Sequence, residues 1–279
     1  MFVYNLLDMR KFIFILVLFL GAAFVYLSFG ELESIARTLQ HGNIWFILLA
    51  VLIELAWFLV AGFIFQSLYH ALDMHDSVIR LALLSASATF INIIAPSIGM
   101  GGMAFFISRA GRNGQSIGKV TVANMLFLFL DYLAFLFVLT LGLIVLFRRN
   151  DLDPTEIVAS GVLFAIAAGL GFLLYLGSRS ADALGNALAR MACLVNRVAY
   201  PFIQRAYLSE ARAHEFAHEM ASDLKSLPER YQSLLVPLLY SFVSKALLMG
   251  VLVSVFLAFQ VPFSAGTIIG GFAIAYLFL

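Results

Sequence analysis

Apolar residues run along this chain in long continuous blocks rather than in alternation. The blocks lie near residues 12–30, 44–65, 119–147, 156–177 and 234–258. Each approaches or exceeds the ~18–20 residues that a helix needs to cross a bilayer. A membrane β-barrel would instead show ten-residue segments alternating between apolar and polar. The pattern predicts an all-α fold, a polytopic bundle of transmembrane helices. The first block follows Arg10 and Lys11. It is longer than a signal-peptide core of about 7–15 residues, so it reads as an uncleaved span. A last apolar stretch opens at Gly266 and is still running at Leu279. As helix it would rise about 21 Å, short of the ~30 Å hydrocarbon core. The expectation is a single integral membrane domain over 1–279, cut short at its C-terminus.

One segment breaks the block pattern. LALLSASATFINIIAPSIGMGGMAFFISR, ending at Arg109, carries Pro96, Gly99, Gly101 and Gly102 inside an apolar run. Lysine and arginine collect on the cytoplasmic side of membrane proteins. A cytoplasmic N-terminus puts thirteen of the seventeen cations inside and three outside, with Lys245 in a span. That count requires Arg80 and Arg109 on the same side. The segment 78–108 is therefore expected to enter the membrane, turn at Pro96–Gly102 and return, as a re-entrant helical hairpin. The alternative is a full span with a Pro/Gly kink, which would invert everything downstream. Broken backbone survives at membrane depth only when buried in protein or lining a wet cavity. Its freed N–H groups can then serve a ligand, as half-helix ends do in many transporters. Ser85, Thr89 and Asn92 share one helical face leading to the turn.

Composition agrees: 63% of residues are hydrophobic and 12% charged, with a mean hydropathy of +1.00. Soluble domains are nearer half apolar and a quarter charged. The net charge of +1 and the absence of basic runs leave nothing to recognise nucleic acid. One cysteine, Cys193, excludes an intrachain disulfide framework.

Three ionisable residues fall near span centres: Glu54, Asp131 and Lys245. Each costs at least ~2.5–3.5 kcal/mol there and needs a partner or water. The simplest arrangement pairs Lys245 with one carboxylate and leaves the other over. Asn124 lies on the face of Asp131, and Ser241 and Ser244 flank Lys245 at helix-neighbour spacing. Two readings stay open, an inward polar lining of a cavity and a structural buried pair. A spare carboxylate would also suit proton coupling.

The long polar segment 178–232 reads as cytoplasmic and amphipathic. Leu184, Leu188, Met191, Val195, Val198 and Phe202 form an apolar stripe among Arg190, Arg197 and Arg205. That is a basic helix suited to an anionic lipid surface. Further on stands HEFAH, an H-E-x-x-H pattern. On a helix it sets His214 and His218 one turn apart for zinc, with Glu215 as general base. A catalytic zinc needs a third protein ligand, and no histidine follows His218. The pattern weighs toward a polar helix face, with a metalloprotease as a minor alternative. No metal and no cofactor is expected.

Pro96 to Gly102, then Ser108-Arg109, then GQSIGKVTVANMLFLFLDYLAFL resemble the lysylphosphatidylglycerol synthase transmembrane-region family of flippase-like membrane proteins. In that pattern a Pro/Gly-rich turn precedes an arginine, a basic loop with G-x-S, and a long span with an aspartate. The counterparts here are Pro96 with Gly99 and Gly102, Arg109, Gly114 to Ser116, and Asp131. Two departures stand out. Phe127 and Leu128 replace a frequent Glu-Arg pair, and Gly102 and Met103 stand where a glutamate is frequent. The resemblance implies two pseudo-repeated re-entrant hairpins around a lipid headgroup site. It implies movement between leaflets of an anionic or aminoacylated phospholipid, or a polyprenyl-phosphate-linked lipid.

The function expected is a lipid translocase, or a lipid-binding membrane protein, more transporter than enzyme. The turn residues Pro96, Ser97, Gly99, Gly101 and Gly102 would cradle the headgroup. Arg109 would clamp phosphate with its planar fork. Glu54, Asn92, Asn124, Asp131 and Lys245 would line the interior. The expected location is the cell membrane. Partners are membrane lipids, and a glycosyltransferase or lipid-synthesis enzyme is compatible. An accessory subunit of such a glycosyltransferase system is the main rival, and a small-solute transporter another. Oligomeric state is open.

Overall fold

The computed structural model describes residues 34–35, 37–94, 100–203, 210–224 and 232–278, and among these the regular elements are all helices. They are α1 (Ile44–Ala71), α2 (Val78–Ile94), α3 (Met100–Arg112), α4 (Ile117–Arg149), α5 (Pro154–Arg179), α6 (Ala181–Ile203), α7 (Glu210–Leu224), α8 (Leu235–Ala258) and α9 (Ala265–Leu277). Four of them, α1, α4, α5 and α8, are long and apolar enough to cross a membrane. They coincide with the apolar blocks expected from residue 44 onward, and the expected block at 12–30 lies outside the described residues. The first of the four runs on to Ala71 because its last turns are core: Leu68, Tyr69 and Ala71 are buried.

Local chemistry sets the helix ends. Asp153 caps α5 in a reciprocal box with Glu156, and Pro154 occupies the first turn, where no N–H is needed. Hydrogen bonds from Thr155 hold the exposed Asp153 carboxyl below the ordinary carboxylate range. Asn150 ends α4 in the left-handed conformation, with φ at 55°.

Helices α1 and α8 pack as antiparallel neighbours. Along α1 and α8, Asn43 N–H donates to the Ala258 carbonyl at 2.8 Å, and Trp57 meets Ser244 halfway down. The α2 helix folds back on α1, and α3 folds back on α2. Gly102 of α3 packs against Ala88 and Asn92 of α2, where a Cβ would sit 2.8 Å from Asn92 Nδ2 and 3.0 Å from Ala88 Cβ. Between lipid-immersed helices there is no water to expel, so close packing of small residues supplies attraction. Gly142 of α4 does the same against Ala273 of α9.

The two ends of the bundle differ. At one, Arg149 donates to Ser264 Oγ (2.9 Å) and Thr267 Oγ1 (3.4 Å), tying α4 to the start of α9. At the other, Lys119 Nζ donates to the Leu72 carbonyl at 2.8 Å, closing the C-terminal end of α1. The α6–α7 pair sits at this second end. Leu184 and Leu224 pack together against Gly177, and Asp223 lies against Gly118. The apolar stripe of α6 is therefore divided. Leu184 is buried in the protein, whereas Met191 is exposed beside Arg190. Many large apolar side chains face outward along the rest of the bundle, among them Trp45, Ile79, Leu83, Ile93 and Phe147.

Candidate functional site

A cavity of about 240 Å³ lies in the bundle between α1, α2, α3 and α4, touched by Leu170 of α5 and Ser244 of α8. Helical spacing explains which side chains reach it. From α1 come Trp57, Ala61, Ile64 and Phe65. The face expected for α2 supplies Ser85, Thr89 and Asn92, joined by Ala88. Gly102, Met103 and Phe106 come from α3, and Asn124, Phe127, Leu128 and Asp131 come from α4 with Met125.

Hydrogen bonding around the cavity is incomplete. Asn92 Oδ1 accepts from the Gly102 N–H at 2.8 Å, satisfying one of the orphan donors in the first turn of α3. Asn124 Nδ2 donates to the Val120 carbonyl of its own helix at 2.8 Å. Trp57 Nε1 donates to Ser244 Oγ at 2.7 Å. Ser85 Oγ is buried on the cavity wall with no partner among the described residues. Native structures rarely leave such a hydroxyl unpaired, so it marks a place for water or a ligand.

Behind the wall, Lys245 Nζ lies 2.7 Å from Asp131 Oδ1 and donates to the Tyr276 hydroxyl oxygen at 2.7 Å. The Tyr276 O–H donates to Asp131 Oδ2 at 3.3 Å. The ammonium also stands 4.2 Å from the centre of the Tyr276 ring. Lys245 is 1% exposed. All three charged or polar groups are thus satisfied by one another. Tyr276 is the member that sequence reasoning missed. Its only signal was a lone tyrosine near the end of an apolar stretch.

The candidate residues separate by position. Asn92, Gly102, Asn124 and Asp131 line the cavity, with Lys245 directly behind Asp131. Gly101 lies in the first turn of α3 and Arg109 is exposed further along it, both off the cavity wall. Glu54 is half-buried on α1, one turn from Trp57, and makes no ion pair or hydrogen bond among the described residues. Pro96, Ser97 and Gly99 lie outside the described residues. The positions that depart from the familiar pattern, Gly102, Met103, Phe127 and Leu128, all face the cavity.

The H-E-x-x-H residues sit elsewhere, on α7. His214 packs against Gly185 of α6, Glu215 is exposed, and His218 Nε2 lies 3.3 Å from Asp182 Oδ1 of α6. No three His, Cys, Asp or Glu side chains converge to hold a metal ion among the described residues. Both members of the His218–Asp182 pair are exposed, where such a contact contributes little.

Long apolar helices around a partly polar interior cavity define a multi-pass α-helical membrane protein. Comparison with family models narrows this. Residues 12–279 match the lysylphosphatidylglycerol synthase TM region. The chain belongs to that family, a family of membrane proteins linked to lipid handling. Comparisons with curated proteins and with solved structures returned no match.

Proposed function

We propose that this protein binds the headgroup of a membrane lipid in the α1–α4 cavity and moves the lipid between leaflets. The observation that carries the reading is the cavity itself. It sits within the long apolar helices and presents a buried hydroxyl that has no partner among the described residues, which a polar headgroup could satisfy.

Topology supports the same reading. The 17 residues of α2 and 13 of α3 would rise about 25 and 20 Å, short of the ~30 Å core. The pair therefore enters and leaves on one side as a re-entrant hairpin. Arg109 and Arg112 stand in the last turn of α3. On the cytoplasmic side of a cell membrane they would attract anionic headgroups to that end of α3. The N-terminus is then cytoplasmic.

The test is transfer of fluorescent phosphatidylglycerol across proteoliposome membranes, read by dithionite quenching. Wild-type protein should exchange the two leaflets faster than empty vesicles. Arg109→Ala, an exposed substitution that should leave stability within about 0.5 kcal/mol, should slow exchange. Bound lipid with no exchange would refute translocation and favour an accessory lipid-binding subunit. Neither binding nor exchange would remove the lipid reading.

A further inference from the structure

We infer that the cavity takes an uncharged, hydroxyl-bearing headgroup, such as a small polyol or one sugar ring, while the lipid's phosphate stays outside. This rests on the headgroup reading above and names the class of group it accepts.

Charge is the first argument. Among the described residues the wall carries one ionisable side chain, Asp131, and each of its oxygens already has a partner, Lys245 or Tyr276. A phosphate in the cavity would meet no free cation and would stand near a carboxylate. Burying an unpaired ion costs several kcal/mol. An ammonium group would find Asp131 already neutralised and would add a second positive charge near Lys245. Arg109, the cation suited to a phosphate, lies off the wall.

Hydrogen-bond direction is the second. Asn92 Oδ1 already accepts from Gly102, and its Nδ2 donors remain for a ligand. Asn124 uses one of its two Nδ2 N–H groups on Val120 and keeps Oδ1, an acceptor that needs a donor. Ser85 Oγ does both and has no partner among the described residues. A phosphate only accepts and would leave Asn124 Oδ1 without a donor; an ammonium only donates and would leave Asn92 Nδ2 without an acceptor. Hydroxyl groups donate and accept.

Shape is the third. Phe65 stacks on Phe106 and on Phe127, with ring centres 4.6 and 4.5 Å apart. These rings and Trp57 give apolar wall to the C–H surfaces that a polyol also carries. The volume of about 240 Å³ equals roughly eight waters at ~30 Å³ each. That admits one small ring and no acyl chain.

The experiment measures binding of dioctanoyl lipids to the purified full chain. The probes are phosphatidylinositol, phosphatidic acid and lysyl-phosphatidylglycerol, which share tails and differ in what lies beyond the phosphate. Phosphatidylinositol should bind about tenfold or more tighter than the other two, as two or three added neutral hydrogen bonds allow. Ser85→Ala, a small change that keeps the helix, should weaken phosphatidylinositol about fivefold and leave phosphatidic acid unchanged. If phosphatidic acid or lysyl-phosphatidylglycerol binds best and Ser85→Ala weakens it, the lipid site stands and the headgroup class is wrong. If Ser85→Ala alters no binding, the cavity is not where headgroups go. If no probe binds, the lipid reading falls with the inference.

Discussion

The Asp131–Lys245–Tyr276 cluster makes a quantitative demand on stability. Replacing Lys245 with methionine shortens the side chain by one atom, keeps its unbranched shape and removes its charge. In the native protein Lys245 Nζ is 2.7 Å from Asp131 Oδ1. Two unit charges at that distance attract by about 6 kcal/mol at an effective dielectric of ~20. Burial of both ions offsets part of this, and removing one member of a buried pair typically costs 3–5 kcal/mol because the other charge is stranded. Asp131 keeps one hydrogen bond from Tyr276, so Lys245→Met is expected to cost about 3 kcal/mol. Asp131→Asn in the same chain removes the stranded charge and lets Tyr276 donate to a neutral acceptor. The double variant should recover most of the loss. The assay is reversible unfolding in mixed SDS micelles followed by tryptophan fluorescence, since Trp57 bonds to Ser244, next to Lys245. Heating is a poor substitute where unfolding is irreversible. A Lys245→Met protein as stable as the wild type would refute the reasoning. So would a double variant destabilised by the sum of its singles.

Three further predictions follow from separate features. In a Cys193→Ser background, Gly111→Cys introduces a thiol at an exposed position. A membrane-impermeant maleimide should label it only from the cytoplasmic side, and labelling from outside would refute the re-entrant hairpin. Gly102→Ala should cost about 1–3 kcal/mol through crowding of Ala88 and Asn92, read by SDS unfolding; an unchanged midpoint would mean that α2 and α3 pack more loosely. Burial pushes the Asp223 carboxyl above its ordinary value, Lys119 opposes that, and Glu219 adds to it. A folded pKa above the unfolded one gives stability that is present below the unfolded value and is lost as pH rises through the folded one. Hydrogen exchange in α7 should therefore be slower, after correction for intrinsic rates, near pH 4 than near pH 7. Asp223→Asn should flatten that dependence, and an unchanged profile would assign it to another group.

Much of this architecture is written in one dimension. Crossing a bilayer is a matter of length and hydropathy, because every backbone group must be satisfied within its own helix. The sequence therefore located α1, α4, α5 and α8 without any knowledge of their neighbours. The shared face of Ser85, Thr89 and Asn92 was legible from helical spacing alone. That a spanning lysine needs a carboxylate was also legible, since an intramembrane charge is costly in any fold.

Which carboxylate it meets was not. Glu54 and Asp131 both lie mid-helix, and only packing α8 and α9 against α4 brings Lys245 and Tyr276 to Asp131 and leaves Glu54 apart. Lining a cavity is likewise a property of several helices together. Periodicity placed Asn124 and Asp131 on one face, but it could not tell that Phe127, Leu128 and Met103 face the same space. Nor could it tell that Arg109 would lie off the wall. Spacing along one helix fixes which side chains share a direction. What they face is set by the rotation and crossing of the neighbouring helices, and that information exists only in the packed bundle.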